Sequence, residues 1–350
     1  MEKIFVAGGT GMLGAATARA FAEAGSEVVA SSRKDHDPVG LQLESESDLI
    51  RVEKVDLIDL ESVQTLFRKH QFTGMVMVVH THQYAQTRDK NNEIYPITIN
   101  LLETARKSGV KRVVYGGSMA AYGGLTPPFS EDSMFPPMVK TATSADERVM
   151  IKFEVATKRA LELIILDYGQ DFQMGLSVPP GTPKPEPHEL EVAVLRAPMM
   201  FGPGYQALGS PLGVAAHVAA GKIDRLKGYI GYGRAPIERL WEGLSMMPVN
   251  YVKDNAACIQ IAMSAPELKH SIYNISSEFE RGPKAQMRAL LKVAPDAADR
   301  FGLTPDDLPD AAPDLGFNSA RFKEDFGWTP PYTLETALAD YIEWLADHPY

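Results

Sequence analysis

The chain has 350 residues, of which 45% are hydrophobic and 23% charged, a balance typical of soluble globular proteins. Its formal net charge of −10 argues against nucleic acid or an anionic membrane as a main partner, because both attract clustered lysine and arginine. The one cysteine, Cys258, excludes an intramolecular disulfide and fits a reducing compartment. With no signal peptide or membrane span predicted, we expect a cytoplasmic protein.

The first 120 residues alternate predicted strands with predicted helices. Strands are predicted at 4–7, 27–30, 74–80 and 112–115, and helices at 15–24, 60–69 and 97–108. A helix from near Arg148 to Tyr168 and a strand at 192–195 continue the pattern. Such alternation predicts an α/β fold with a parallel, doubly wound sheet.

Two proline-rich stretches interrupt this pattern. Residues 123–147 are rich in proline, serine and threonine, and residues 169–190 hold five prolines, so both are predicted to be inserted loops. The strict alternation ends after Gly204. We therefore expect a dinucleotide-binding domain over 1–200. Residues 201–350 should form mainly a smaller substrate-binding lobe, with segments that return to the first domain.

A glycine-rich turn directly after the first strand predicts the cofactor site. Gly8 permits a tight turn, Gly11 lets the backbone approach a pyrophosphate, and Gly14 lets helix and strand pack closely. The helix that follows presents free N–H groups and its positive dipole end to phosphate. The expected cofactor-binding residues of this loop are Gly8, Thr10, Gly11, Met12, Leu13 and Gly14.

The order and spacing of several motifs resemble those of the extended short-chain dehydrogenase/reductases of the NAD-dependent epimerase/dehydratase type, which have a Rossmann fold. The similar segments are 8–14, 55–57, 101–105, 117–123, 195–198, 201–204, 273–275 and 326–330. The resemblance implies that Asp56 and Leu57 lie near the adenine and that Pro198 closes over the nicotinamide. It also places Thr81 and His82 beside the cofactor. A metal site is not expected there, because no cysteine or clustered acid accompanies His80 and His82.

The residues after the second strand favour NADP(H) over NAD(H). NAD-binding Rossmann units carry an acid there that binds the ribose 2′-hydroxyl, but this chain has Ser32 followed by Arg33 and Lys34. An arginine can grip a 2′-phosphate with two hydrogen bonds. In the alternative interpretation the two cations are solvated loop charges that pair with Asp35 and Asp37.

The resemblance also implies a catalytic serine, a tyrosine, and a lysine four residues after the tyrosine. In the family the serine orients the substrate oxygen, the tyrosine transfers its proton, and the lysine binds the nicotinamide ribose and lowers the pKa of the tyrosine. Ser118 and Lys158 match the serine and lysine, but Glu154 stands where the tyrosine is expected. Tyr122, just past Ser118 at the strand end, is the other candidate proton donor.

Three interpretations of Glu154 remain open. Burial could raise its pKa from about 4.3 until it shuttles protons as a tyrosine would. It could stay ionised and remove a proton from an alcohol or a carbon acid. It could also form only a surface ion pair with Lys158, because a glutamate four residues before a lysine is the favoured orientation on a helix.

The leading hypothesis is an NADP-dependent oxidoreductase that transfers hydride at a carbonyl or secondary alcohol of a small organic substrate. The alternatives are a nucleotide-sugar epimerase or dehydratase and a non-catalytic NADP-binding sensor. No obvious basic cluster for a nucleoside diphosphate is present, although scattered cations such as Arg225 and Arg234 could serve. A homodimer is expected through helices 97–108 and 148–168. The apolar stripe of the second helix would consist of Val149, Phe153, Ala156 and Ala160.

Overall fold

The computed structural model describes residues 2–80, 92–123, 125–133, 145–169, 190–204, 211–222, 248–301, 304–310 and 314–348. No helix within these ranges is long and apolar enough to cross a membrane.

Nine strands form two sheets in the described ranges. In chain order they are β1 Lys3–Ala7, β2 Glu27–Ser32, β3 Ile50–Lys54, β4 Gly74–Met77, β5 Arg112–Ser118, β6 Glu191–Ala197, β7 Met199–Phe201, β8 Val249–Tyr251 and β9 Ile272–Asn274. The main sheet has the order β3-β2-β1-β4-β5-β6-β9, and every neighbouring pair in it is parallel. β7 and β8 form a separate parallel pair. The α/β fold class with a parallel sheet is thus confirmed.

Helices connect the strands and continue beyond the sheet. Over the described residues they are α1 Met12–Glu23, α2 Pro38–Glu46, α3 Leu60–His70, α4 Ile94–Lys107, α5 Ala145–Gly169, α6 Pro211–Ala219, α7 Val252–Ser264, α8 Pro283–Val293, α9 Ala298–Phe301, α10 Ala320–Phe326 and α11 Leu334–Asp347. A short 3-10 helix, Met119–Tyr122, follows β5 directly.

Apolar layers cover both faces of the main sheet. On one face Leu101 of α4 and Ile165 of α5 pack in a single buried cluster with Val113 of β5. On the other face Ala18 of α1 and Ile259 of α7 pack in a second cluster. Because apolar layers cover both faces of the sheet, a ligand is expected to bind at the ends of the strands.

The later part of the chain contributes to two places. Helices α6, α8 and α11 form a further apolar cluster that contains Leu212, Tyr251, Leu290 and Leu338. Strand β9, by contrast, extends the main sheet beside β6. The carboxyl end of β6 is therefore fixed by residues that come about eighty positions later in the chain.

Candidate active site

The residues predicted to bind cofactor or substrate gather at one edge of the sheet. Parallel strands end at a common edge, and ligands of open α/β sheets bind there. The predicted residues that follow or end β1, β2, β3, β5 and β6 are Gly8, Ser32, Asp56, Ser118 and Pro198 respectively. His80 follows β4 at the same edge.

The glycine turn has the tight geometry that a dinucleotide loop requires. Gly8 has a φ of +84°, and the N–H of Gly11 donates to its carbonyl at 3.0 Å. A Cβ added at Gly14 would lie 2.0 Å from the Gly8 carbonyl oxygen, so only glycine fits there. No side chain caps the N-terminus of α1 at Gly11. The loop thus leaves backbone N–H groups for a phosphate, and the residues fit a dinucleotide cofactor.

Two other residues of the predicted loop lie at the start of α1. Met12 is largely buried and Leu13 is half-buried. Gly204 approaches Met12 so closely that a Cβ on Gly204 would lie 2.8 Å from its side chain. Thr10 is half-buried in the turn itself. The first turn of α1 is therefore packed against the segment after β7.

The end of β2 is followed by an arginine that has no acidic partner among the residues that the structure describes. Asp35 pairs with Lys54 at 2.7 Å, and Asp37 accepts hydrogen bonds from the Ser32 hydroxyl at 2.8 Å and from the N–H of Val39 at 3.1 Å. Arg33 is exposed and forms no ion pair with any described residue. The pairing of Arg33 with Asp35 or Asp37, which the sequence left open, is thus absent from the described structure.

The remaining predicted cofactor residues differ in how they are held. Asp56 is exposed, and one of its carboxylate oxygens accepts from the N–H of Ile58 at 3.0 Å. Leu57 and Pro198 are buried. Thr81 and His82 lie outside the described residues.

Ser118 ends β5 and starts the 3-10 helix. Its hydroxyl oxygen accepts a hydrogen bond from the N–H of Ala120 at 3.1 Å. That bond caps the 3-10 helix and fixes the serine side chain at the sheet edge. Its hydroxyl hydrogen can still be donated to a substrate oxygen.

Lys158 of α5 reaches the end of β4. Its ammonium group donates to Nε2 of His80, and the positive charge lowers the pKa of His80 to about 3. The imidazole is therefore neutral near pH 7 and acts as the acceptor. Glu154 lies one turn earlier in the same helix, and its side chain is outside the described part of the structure.

Tyr122 belongs to a buried hydrogen-bond network. It is 1% exposed, and its hydroxyl donates to Oδ1 of Asn274 at 2.8 Å and accepts from Arg196 at 2.9 Å. Burial raises the pKa of this phenol, which disfavours its ionised form. The one proton of the phenol is thus donated to Asn274, so Tyr122 has no proton left for a substrate while this hydrogen bond is kept.

The same network contains a fully buried ion pair. Arg196 of β6 donates to the carboxylate of Glu162 from Nε at 3.1 Å and from Nη2 at 2.8 Å, and neither side chain is more than 2% exposed. Removal of one residue of such a buried pair strongly destabilises the fold, because the other residue then remains charged and unpaired.

One turn of α5 thus holds three strand ends. Lys158 contacts His80 after β4, Arg159 donates to the carbonyl of Ala121 at 2.8 Å and also to that of Gly123, and Glu162 pairs with Arg196 of β6. This turn fixes the position of the segment that carries Ser118 relative to the helix that carries Glu154.

Sequence reasoning missed Glu162, Arg196 and Asn274 as parts of the site. A signal was present, because a glutamate and an arginine interrupt segments that otherwise read as buried. Charges in such places require a partner, but the sequence does not say which one.

A second buried carboxylate lies in the first turn of α7. One oxygen of Asp254 accepts from the Ser277 hydroxyl at 2.6 Å, and the other has no partner among the described residues. Burial raises the pKa of Asp254 to about 6. Asp254 thus makes the stability of the fold depend on pH in the acidic range up to about pH 6.

Comparison with known proteins agrees with this geometry. The sheet order and the glycine turn define a Rossmann-type α/β fold whose first loop fits a dinucleotide. A family model described as the NAD dependent epimerase/dehydratase family matches residues 4–276. The chain belongs to this family, so the predicted family resemblance and the prediction of an enzyme are confirmed.

Individual relatives match over shorter stretches. Mouse UDP-glucose 4-epimerase is 32% identical over 136 residues, which are 35% of this chain and 39% of the mouse protein. The bovine enzyme is 26% identical over 181 residues, 42% of this chain and 50% of its own length. The chain therefore spans half or less of the length of these curated relatives.

Solved structures match over nearly the whole chain. The UDP-Glc/GlcNAc 4-epimerase of Campylobacter jejuni has a TM-score of 0.66 at 19% identity and covers 99% of this chain and 100% of its own. The dTDP-glucose 4,6-dehydratase of Bacillus anthracis, in complex with NAD, has a TM-score of 0.67 at 16% identity, with coverages of 99% and 97%. At such identities the likeness establishes the fold.

Proposed function

We propose that this protein is an NADP-dependent oxidoreductase that acts on a carbonyl or secondary alcohol of a small organic substrate. The observation that carries the cofactor choice is Arg33, exposed at the end of β2 while the two neighbouring acids are held by Lys54 and Ser32. An unpaired guanidinium at this place suits a 2′-phosphate, and no acid stands there for a 2′-hydroxyl.

Ser118 and Lys158 take the positioning roles in this proposal. Ser118, held by the N–H of Ala120, donates its hydroxyl hydrogen to the substrate oxygen. Lys158, directed by His80 towards the sheet edge, holds the ribose next to the nicotinamide. The bound cofactor supplies the hydride acceptor or donor.

Glu154 carries the proton step. It lies in α5 one turn before Lys158, where the family tyrosine is expected, and Tyr122 is occupied by Arg196 and Asn274. An ionised carboxylate accepts the hydroxyl proton of an alcohol while the carbon that bears the hydroxyl gives its hydride to the oxidised cofactor, so this site favours alcohol oxidation at neutral pH. Tyr122 becomes a positioning residue.

A second candidate is a nucleotide-sugar epimerase. The relatives named above as UDP-glucose 4-epimerases favour it. It would use the same Ser118 and Lys158, and it would retain the cofactor through oxidation and re-reduction instead of exchanging it.

We also propose a homodimer through α4 and α5. These helices lie side by side, joined by a hydrogen bond of 2.8 Å from Tyr168 to Glu103. Ile99 on α4 is 44% exposed and Leu163 on α5 is 55% exposed. Leu163 extends the predicted stripe of Ala156 and Ala160 along the helix, while the side chains of Val149 and Phe153 lie outside the described part.

The test is a fluorescence titration of the protein with NADPH and with NADH. We expect tighter binding of NADPH, and we expect Arg33→Ala to weaken NADPH binding roughly tenfold or more without changing NADH binding. Arg51→Ala, which removes an exposed arginine near the start of β3, is the matched control and should change neither.

The outcomes separate the candidates. NADPH preference lost in Arg33→Ala, together with reduction of free NADP⁺ by an alcohol, supports the oxidoreductase. Equal or tighter NADH binding refutes the 2′-phosphate interpretation, and interconversion of UDP-sugars without net cofactor turnover would establish the epimerase. Cofactor binding with no turnover of either kind would indicate a sensor.

A further inference from the structure

A cavity lies at the edge of the main sheet formed by the carboxyl ends of its strands. It has a volume of about 350 Å³ and lies beyond the carboxyl end of β9, between the start of β8 and the segment 314–318. Phe317, one of its lining residues, packs edge-on against Tyr122 with ring centroids 6.2 Å apart. Met119, which follows Ser118, belongs to the same apolar cluster as Phe317. The cavity thus lies at the edge of the sheet where ligands of open α/β sheets bind, and it shares Phe317 with the apolar cluster that contains Met119. Its volume is in the range of small-ligand sites.

An unpaired amide lines this cavity. Gln286 of α8 is only 2% exposed, yet its side chain makes no hydrogen bond with any residue that the structure describes. Its amide atoms are not among the fully buried polar atoms without a partner in the described residues, so they keep access to the space of the cavity. The amide offers both a donor and an acceptor to whatever enters the cavity.

The charged groups of the described lining are mainly acidic. Asp314 pairs with Arg281 at 2.7 Å, and Glu278 is hydrogen-bonded by Lys323 from outside the lining. Glu280 is exposed and has no ion pair with a described residue. The described lining therefore leaves an uncompensated negative charge.

Two of these carboxylates are held ionised. The Gly316 N–H and Arg281 lower the pKa of Asp314. Burial pushes the pKa of Glu278 upward, but hydrogen bonds from Lys323 and Ser319 outweigh it and keep this pKa below its ordinary value. A nucleoside diphosphate would bring two further negative charges against these groups, and like charges repel.

The remaining walls suit a sugar ring. Phe279 and Phe317 present aromatic surface, while Gln286, Asn318 and the acids present hydrogen-bonding groups around it. Sugars offer C–H faces to aromatic rings and hydroxyl groups to amides and carboxylates. Building on the proposed oxidoreductase function, we propose that the cavity binds an uncharged, polyhydroxylated portion of the substrate, a sugar or polyol without a diphosphate.

The experiment is saturation-transfer difference NMR on the protein loaded with its nicotinamide cofactor. The probes are a panel of free hexoses, pentoses and sugar alcohols, with UDP-glucose as the charged probe. Gln286→Leu should weaken binding of the best neutral probe roughly tenfold, the worth of about one neutral hydrogen bond. Because Leu removes a polar group that has no described partner, we expect the variant to fold. Gln260→Leu, in a half-buried position on α7 outside the cavity lining, is the matched control.

Each result decides the proposal. Binding of a neutral probe that Gln286→Leu weakens and Gln260→Leu does not, with no binding of UDP-glucose, supports it. Tighter binding of UDP-glucose than of every neutral probe overturns it, as does binding of no sugar or polyol. This measurement needs no turnover, so it tests the cavity separately from the activity. If the protein oxidises some other alcohol but binds no sugar, only the cavity proposal is refuted. If it binds a sugar but oxidises no alcohol, only the proposed activity is refuted.

Discussion

The guanidinium of Arg196 stacks on the ring of Tyr122, with its central carbon 4.7 Å from the ring centroid, and donates a hydrogen bond of 2.9 Å to the phenol oxygen. This contact joins β6 to the 3-10 helix that follows Ser118. Glu162 on α5 balances the charge of the same guanidinium. The placement of Ser118 therefore depends on a buried network as much as on its own strand.

Tyr122→Phe separates a positioning role from a catalytic one. The change leaves Arg196 and Asn274 each without one hydrogen-bond partner, so we expect the free energy of unfolding to fall by about 1–3 kcal/mol. We expect kcat to fall less than tenfold, whereas loss of a proton donor typically costs about 10²–10⁴-fold. Chemical denaturation and steady-state kinetics measure the two effects. A large loss of kcat with unchanged stability would restore Tyr122 as the proton donor.

Glu154→Gln removes the proposed proton acceptor while it keeps the size of the side chain. We expect kcat for alcohol oxidation to fall about 10²–10⁴-fold, with cofactor affinity unchanged, because Gln cannot accept the alcohol proton. The pH–rate profile should lose its acidic limb. Glu343→Gln, at an exposed glutamate of α11, is the control. An unaltered pH–rate profile in Glu154→Gln would refute the proposed role of this residue in proton transfer.

Asp254→Asn tests how the buried carboxylate makes the free energy of unfolding depend on pH. The pKa of Asp254 is about 6 in the folded protein, against about 3.9 in an unfolded chain, so the folded state binds the proton more tightly. The resulting stabilisation is complete below about pH 4 and is lost as pH rises through 6, by about 3 kcal/mol in all. Relative to Asp254→Asn, the wild type should therefore lose stability over this window in denaturation curves. Asp48→Asn, at an exposed carboxylate, should show a curve parallel to the wild type.

Gly14→Ala tests the packing of the cofactor loop. Alanine normally stabilises a helix by about 0.5–1 kcal/mol relative to glycine. Here its Cβ would meet the Gly8 carbonyl at 2.0 Å, so we expect a loss of about 1–3 kcal/mol and of cofactor binding. At Gly11 the added Cβ would lie 3.3 Å from the same carbonyl oxygen, so Gly11→Ala should lose much less stability than Gly14→Ala. Equal stability of the two variants would contradict the close approach of α1 to the turn.

Leu163→Lys tests the proposed dimer. If α4 and α5 meet their copies in a partner subunit, a charge at this exposed apolar position would be buried without a partner. Light scattering after size exclusion should then change from twice 38.4 kDa to 38.4 kDa. Leu41→Lys, at a 58% exposed leucine on α2, is the control. A wild type that elutes with the mass of one chain excludes the dimer.

Local patterns were enough to predict most of the sheet and the glycine turn. The predicted helix at 60–69 is observed as Leu60–His70, and the predicted strand at 192–195 as Glu191–Ala197. Strand β3 was not predicted, because three of its five residues are charged. It forms the edge of the sheet, where charged side chains face solvent and discourage further pairing.

The buried network could not be predicted from local sequence. Glu162 and Arg196 belong to different elements, and Asn274 comes from the late strand β9. Local periodicity shows that such residues are buried, but only the sheet order brings them together. The sequence could not show that Asn274 and Arg196 contact Tyr122, so Tyr122 remained a candidate proton donor there. Because of these two partners, our proposal gives Tyr122 a positioning role.

The position of β9 has a consequence for biosynthesis. The ribosome has added every residue that we assign to the cofactor and to proton transfer once it reaches position 198. Strand β9, which pairs with β6, is added only with residues 272–274. Until then a nascent chain holds an open edge at β6, and Tyr122 lacks the Asn274 amide. Competence for turnover should therefore arise late in synthesis, and a chain truncated before β9 should carry the catalytic residues without their working arrangement.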